Sequence, residues 1–229
     1  MTTWAVVVAA GSGTRFGAAK QFVPLNGRPL VQWSVEAAHH VADGVVLVLP
    51  AASLPGPDRR LGADVTVAGA ATRSGSVRCG LAAEPADADV VVVHDGARPL
   101  AAPRLFAAVV EAVRSGADAA VPGVGVVDTL KRVRPAPGGA WSTVVATVDR
   151  QDLVAVQTPQ AFRGELLRRV HAAGAEASDD AGLVEAAGGT VQVVAGDPCN
   201  LKVTTPEDLV LVEALAASAL HQRGTGDWR

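Results

Sequence analysis

The sequence contains no tyrosine, and its aromatic residues amount to only 3% of the chain. Ala, Val and Gly are abundant instead, so the expected core packs small and β-branched side chains rather than rings. Cysteine occurs twice, as Cys79 and Cys199, far apart and without metal-type spacing. That argues against a disulfide framework and against a zinc site. No basic excess is present: 20 Lys and Arg face 23 Asp and Glu, for a formal net charge of −3. A nucleic-acid partner normally demands a basic stripe, so none is expected. No apolar stretch approaches the roughly 20 residues of a membrane-spanning helix, so no membrane partner is expected either. The apolar run Trp4–Ala10 has no charged region before it and leads into Gly11. It reads as a buried strand, not a signal peptide, and a cytoplasmic protein is the expectation.

What is present suits one folded unit. The chain has 229 residues, 49% hydrophobic and 19% charged, enough apolar matter for a substantial core. Short β-branched runs alternate with longer helical patterns. Trp4–Ala9, Val45–Leu49, Asp64–Ala68, Ala88–Val93, Ala119–Pro122 and Val191–Ala195 read as strands. Val90-Val91-Val92-Val93 is apolar on both faces, as an interior strand covered on both sides should be. Helices are expected over Pro29–His40, Ser74–Ala83, Pro103–Ser115, Gly164–Ala173 and Asp179–Ala187. A last helix starts with Thr205 as cap, Pro206 at the first position and Glu207 and Asp208 in the first turn. It should reach about Leu220 before a frayed tail. The alternation predicts an α/β fold: a mostly parallel, twisted central sheet between two helical layers, Rossmann-like in outline.

One segment breaks the alternation. Asp128–Val133 and Ser142–Val148 are strand-like and joined by Pro135-Ala136-Pro137-Gly138-Gly139. This predicts a protruding β-hairpin arm over 128–150. Two strands alone have too little core to stand free, so the arm is expected to pack on another subunit. The division expected is one domain over 1–222, including that arm, and a tail over 223–229.

Chemistry concentrates where strands end. The first strand runs into Ala9-Ala10-Gly11-Ser12-Gly13-Thr14-Arg15-Phe16-Gly17, with Lys20 close behind. Glycines there let backbone N–H groups turn toward an anion. The spacing Gly11, Gly13, Gly17 is not the dinucleotide fingerprint, and no Gly-Lys-Ser/Thr follows, so the Walker pattern is absent. Pro24, Asn26-Gly27 and Pro29 also interrupt any helix after the loop. Two cations beside a glycine cradle suit a polyphosphate, although such a loop is also read as a plain turn with solvated cations.

Further clusters follow the same logic. Arg73 and Ser76 precede or open a helix, where a turn presents backbone groups and a hydroxyl; an ordinary helix cap reads equally well. His94-Asp95-Gly96-Ala97-Arg98-Pro99 follows the most buried strand, at the strand end where open sheets bind ligands. Asp95 suits a substrate hydroxyl or a metal, and Arg98 a phosphate; an Asp–Arg pair locking the loop is the alternative. Asp149-Arg150 ends the arm, where arm solubility is the competing reading for Arg150. Thr158-Pro159-Gln160 follows the next short strand, and Lys202 precedes the last helix, where a strand-edge lysine without a role is the alternative. His39, His40, His171 and His221 lack ligand spacing and read as structural, and Asp179-Asp180 as acids at a helix start.

Taken in order, Ala9-Ala10-Gly11-x-Gly-x-Arg15, Lys20-Gln21, Arg73-x-x-Ser76-Val77, His94-Asp95-x-Ala97-Arg98-Pro99, Asp128-Thr129-x-Lys131, Asp149-Arg150, Thr158-Pro159-Gln160 and Asn200-x-Lys202-Val203-Thr204 resemble the 2-C-methyl-D-erythritol 4-phosphate cytidylyltransferase family. The resemblance runs from about Trp4 to Leu215. It implies a three-layer nucleotidyltransferase fold and transfer of CMP from CTP to the sugar-alcohol phosphate. It assigns Arg15, Lys20, Arg150 and Lys202 to catalysis. Ala9, Ala10, Gly11, Ser12, Gly13, Gly69, Arg73 and Ser76 would join Arg15 and Lys20 around CTP. Asp95, Arg98, Thr129, Arg150, Ser178 and Lys202 would hold the second substrate. It further implies Mg²⁺ bound mainly through the CTP phosphates, with no protein metal site, and a homodimer joined through the arm. The cyclodiphosphate synthase segment fused to some relatives is not expected.

Gly96, Gly75 and Gln151 depart from the residues the resemblance leads one to expect: alanine, an acid and asparagine. Three rivals stay in view: a cytidylyltransferase acting on ribitol 5-phosphate, a nucleotide-binding module without turnover, and a dehydrogenase, which the glycine spacing weakens.

Overall fold

The computed structural model describes residues 1–11, 13–54, 61–136, 138–139 and 141–224. Ser12, Pro137 of the expected arm turn, and 225–229 of the expected tail lie outside the described residues. In chain order, β1 (Thr3–Val8) is followed by the small pair β2 (Pro24–Leu25) and β3 (Arg28–Pro29), then α1 (Leu30–His39). Next come β4 (Gly44–Leu49), β5 (Val65–Ala68), α2 (Arg73–Leu81), β6 (Val90–Asp95), α3 (Pro103–Arg114) and β7 (Ala119–Gly125). The arm is β8 (Leu130–Pro135) and β9 (Ser142–Val148). After it stand β10 (Val154–Val156), β11 (Gln160–Arg163), α4 (Gly164–Ala172), α5 (Asp180–Ala186), β12 (Val191–Ala195) and α6 (Pro206–Gly224).

The central sheet runs β10-β7-β11-β6-β1-β4-β5, with β12 on the other edge of β7. β1, β4, β5 and β6 pair in parallel, as do β7 and β12, while β10 and β11 run antiparallel to their neighbours. Strand residues alternate between two cores. Ala5, Val7, Val45, Leu47, Val90 and Val92 face α1 and α3 around buried Phe106. Val6, Val46, Val48, Val91 and Val93 face α2, α4 and α5 around buried Phe162. Period-two alternation on strands that are buried on both faces is why these segments read as unbroken valine runs. Each such buried side chain contributes roughly 1.5–3 kcal/mol. A third cluster, Leu25, Leu30, Val203, Val212 and Ala216, seats α6 against the segment after β1. Among the described residues no helix is long and apolar enough to cross a membrane.

The expected three-layer α/β fold is therefore the one found, with corrections. β6 starts and ends two residues later than expected, so His94 and Asp95 belong to the strand. Parallel pairing with β1 carries on to Val8 opposite Asp95, and hydrogen bonding overrides their polarity. β7 continues past Pro122 to Gly125, because β10 and β12 pair along it. The cap of α2 is Thr72, whose hydroxyl accepts from the Gly75 N–H at 3.0 Å. β10 is the short strand expected before Thr158, whereas β11, four residues long and lying between β6 and β7, was not expected. The arm pairs β8 with β9 as a separate two-stranded sheet, starting two residues later than expected.

Candidate active site

β1 has β4 on one side and β6 on the other, so the chain leaves its carboxyl end in one direction and re-enters the sheet in the other. That is the switch point where open α/β sheets form a crevice. A cleft of about 490 Å³ opens there. Four segments line it: Ala9, Ala10, Gly11, Arg15, Lys20 and Gln21 after β1; Ala70 to Arg73 and Ser76 at the start of α2; Asp95 to Ala97 at the end of β6; and Lys202 before α6.

The loop after β1 is a folded-back turn. Gly13 has φ +67°, and a Cβ there would run into the Ala18 carbonyl, so only glycine suits it. The Gly13 carbonyl accepts from the Phe16 and Gly17 N–H groups at 2.9 Å, and the chain returns to the cleft at Lys20. Lys20 Nζ donates to the Val203 carbonyl at 2.6 Å, stapling the loop to the Asn200–Thr204 segment. Burial, then Lys202, then Arg15 push the Lys20 ammonium below its ordinary pKa. Three like charges thus crowd one end of the cleft.

Asp95 faces them. Its Oδ2 lies 2.7 Å from Lys202 Nζ and its Oδ1 3.5 Å from Arg73 Nε. Burial opposes ionisation of Asp95, but Lys202 and Arg73 outweigh it and hold the carboxyl down at about 2. A buried network fixes this strand end. The Thr158 hydroxyl accepts from the Asp95 N–H at 3.0 Å and lies 3.1 Å from His94 Nδ1. The Arg98 carbonyl, 3.3 Å from Nε2, can only accept, so in the neutral ring Nε2 carries the proton and Nδ1 accepts from the Thr158 hydroxyl. Burial holds His94 neutral, its pKa down at about 4. Asn200 Nδ2 donates to the Thr158 carbonyl at 2.9 Å, and Arg98 Nη1 donates to the Asn200 carbonyl at 2.7 Å. The Thr158–Pro159 peptide is cis.

Of the expected residues, Ala9, Ala10, Gly11, Arg15, Lys20, Arg73, Ser76, Asp95 and Lys202 meet at this cleft. Gly13 shapes the loop without lining it, and Gly69 packs beneath Ala10 and Ser76. The Ser76 hydroxyl is engaged with the turn itself: Ala70 N–H donates to it at 3.1 Å and the Thr72 carbonyl lies 2.9 Å away. Arg98 is largely buried beside Asp95, at 3.9 Å, and does not line the cleft. Thr129, Arg150 and Ser178 are exposed and stand apart from the cleft of their own chain. Gly96 lies so close to Ala9 that a Cβ would sit 2.9 Å from the Ala9 Cβ, closer than an alanine there permits. Sequence reasoning missed the buried roles of Thr158, His94 and Asp180. His94 and Thr158 lie within motifs read in the sequence, but their contact spans 64 residues, and that of Asp180 with Arg73 spans 107, so no pattern along the chain reveals either.

A larger hollow of about 650 Å³ lies at the opposite, amino ends of the strands, between Met1, Asp89, Arg114, Arg163 and Arg168. Its arginines are engaged: Arg163 and Arg168 pair with carboxylates, and Arg114 donates to the Met1 carbonyl and the Thr3 hydroxyl.

Residues 3–218 match the family described as IspD, 2-C-methyl-D-erythritol 4-phosphate cytidylyltransferase. The chain is 45% identical to the enzyme of that name from Nocardia farcinica, over 92% of both chains. It is 42% identical to the bifunctional enzyme IspD/IspF of Nitratidesulfovibrio vulgaris, where it spans 93% of itself but 58% of the relative. Its structure is similar to the crystal structure of 2-C-methyl-D-erythritol 4-phosphate cytidylyltransferase from Thermus thermophilus, with TM-score 0.77 and 40% identity over 93% and 98% of the two chains. With the fold, the cleft and the ordered motifs in agreement, the chain belongs to the 2-C-methyl-D-erythritol 4-phosphate cytidylyltransferase family.

Proposed function

We propose that this chain transfers CMP from CTP to 2-C-methyl-D-erythritol 4-phosphate, releasing pyrophosphate and forming 4-diphosphocytidyl-2-C-methyl-D-erythritol. The observation that carries the reading is the crowding of Lys20, Lys202 and Arg15 beside bare backbone at a sheet's switch point. Like charges held together repel, and a polyphosphate relieves that repulsion on binding.

The chemistry follows from charge. A phosphate oxygen of the second substrate attacks the α-phosphorus of CTP in line. The new P–O bond forms as the bond to the bridging α–β oxygen breaks, and pyrophosphate carries away the electron pair. The nucleophile is already anionic, so no strong base is needed, and His94 is buried and neutral. Arg15 and Lys20 neutralise charge at the transferring phosphorus, while the Ala9–Gly11 backbone cradles the phosphates. Arg73 and Ser76 bound the nucleoside end, Ser76 by shaping the turn around it. Lys202, anchored on Asp95, meets the incoming phosphate.

Mg²⁺ fits this lining. The cleft's described residues include one carboxylate, Asp95, already engaged by Lys202 and Arg73. A divalent ion would therefore be held mainly through the nucleotide phosphates, where it neutralises their charge.

The arm supports a homodimer. Val133, Trp141, Val144 and Val145 are exposed on a hairpin with no core of its own. A second copy of the chain would cover them. Thr129 and Arg150, at the base of the arm and away from their own cleft, would then serve the partner's substrate. Two free cysteines and phosphorylated substrates suit a cytoplasmic enzyme.

Pyrophosphate release from CTP and Mg²⁺ tests the reading, with methylerythritol phosphate, ribitol 5-phosphate or neither added. Release should require methylerythritol phosphate. Faster turnover with ribitol 5-phosphate, or none with either, would overturn it.

A further inference from the structure

Behind the cleft, Arg73 is anchored by a group that the reaction does not use. Its Nη1 donates to Asp180 Oδ2 at 2.8 Å, while its contact with Asp95 is long, 3.5 Å, and shared with Lys202. Asp180 is the first residue of α5 and its side chain is fully buried. The other oxygen, Oδ1, accepts from His171 Nε2 at 3.0 Å; His171, near the end of α4, is also buried, and its Nδ1 has no hydrogen-bond partner. Among the described residues the only polar link of that ring is thus to Asp180. A chain of contacts runs from α4 through α5 to α2 and ends at the cleft wall.

Burying a carboxylate is costly unless its partners are fixed and its oxygens satisfied. Asp95 does not require Arg73 for neutralisation, since Lys202 lies closer to it. The Asp180–His171 pair therefore has one evident consequence: it holds the guanidinium plane at the wall of the cleft and balances its charge there. Arg73 then presents directed N–H groups without adding to the positive crowd at Arg15, Lys20 and Lys202. A charge-balanced fork suits a neutral nucleoside; Arg15 and Lys20, which have no ion pair among the described residues, suit the phosphates.

We infer that Asp180 and His171 are positioning residues for nucleotide recognition, acting through Arg73 and touching neither substrate. This rests on the reading of the cleft as a CTP site. Both residues thereby leave the purely structural role that their sequence neighbourhood suggests.

The test is a cycle of variants in the full chain, read as KM for CTP, KM for methylerythritol phosphate and kcat. R73A should raise KM for CTP at least about tenfold, and D180N about as much, with KM for the sugar phosphate within about twofold. The double variant R73A/D180N should be no worse than R73A, because both remove one interaction. H171L should raise KM for CTP about threefold and H171Q, which keeps a donor toward Asp180, should restore it. If R73A leaves KM for CTP unchanged, the nucleotide site itself is misplaced. If R73A acts but D180N does not, or the two multiply, positioning through Arg73 is refuted. Should D180N fail to fold, the His171 pair decides: equal KM values for H171L and H171Q overturn the proposal. A rise in both KM values together also overturns it, since that is the mark of general loosening.

Discussion

The two ends of the same parallel strands hold comparable numbers of charged side chains and differ in how those charges are matched. At the amino ends, Arg163 pairs with Asp118 at 3.2 Å, Arg168 with Glu84, and the chain's own amino group with Asp89 at 3.8 Å. Arg114 is spent on the Met1 carbonyl and the Thr3 hydroxyl. At the carboxyl ends, Arg73 is matched by Asp180 and Lys202 by Asp95, while Arg15 and Lys20 line the smaller cleft with no ion pair among the described residues. The arginines around the larger hollow are all engaged; Arg15 and Lys20, without a carboxylate partner among the described residues, wait for negative charge. Unmatched charge, not volume, marks the site.

The sharpest way to break this comparison is to remove a cation from the crowded end. Lys20→Ala should lower kcat at least about 100-fold with the fold intact, a loss of about 2.7 kcal/mol of transition-state stabilisation. The loss is expected in kcat because charge at phosphorus grows toward the transition state. A variant with near-normal kcat would remove Lys20 from the chemistry.

A second effect concerns stability. The folded pKa of Asp95, about 2, lies below its ordinary 3.8. Its contribution is complete above pH 3.8 and is lost as pH falls from there through about 2. The difference corresponds to about 2 kcal/mol. Urea unfolding between pH 5 and 3 should show a steeper loss for the native chain than for Asp95→Asn. Parallel slopes would mean that Lys202 and Arg73 do not hold the carboxylate as described.

Smaller again is the expected result for Arg150→Ala: KM for methylerythritol phosphate up about tenfold, or about 1.4 kcal/mol, with CTP affinity kept. Dilution of the protein should mimic it if the arm joins two copies and delivers Arg150 to the other one. Equal loss of CTP affinity would place Arg150 elsewhere.

The contrast between the two ends was half legible in the sequence. The valine runs of β1, β4 and β6 announce a doubly covered sheet, and glycine with Arg15 and Lys20 after the first of them announces an anion loop. Thr205, Pro206 and Asp208 mark the start of α6, and Asp208 Oδ2 does cap the Thr204 and Thr205 N–H groups at 2.8 Å. β11 was illegible: Gln160-Ala161-Phe162-Arg163 is too short to show a period, and only its slot between β6 and β7 makes it a strand. Asp180 was illegible for a different reason. An acid at a helix start is ordinary, and nothing local tells that Arg73, 107 residues away, closes on it. Pairings across the chain decide which charges are spent, and a pattern read along the chain does not contain them.

The smallest expected effect is at the other end. Arg163 closes β11 and is more than half exposed, and Asp118 also accepts from the Thr190 N–H at 3.0 Å. An exposed pair of this kind is worth about 0.2–1 kcal/mol, and Asp118 keeps its backbone partner when the arginine is gone. Arg163→Ala should therefore lower the melting temperature by no more than a few degrees and change kcat/KM for either substrate less than about twofold. The informative outcome is a loss of turnover. Were CTP turnover to fall tenfold with the fold intact, paired charge at the amino ends would be acting on the reaction, and the rule that unmatched charge locates the site would fail in this molecule.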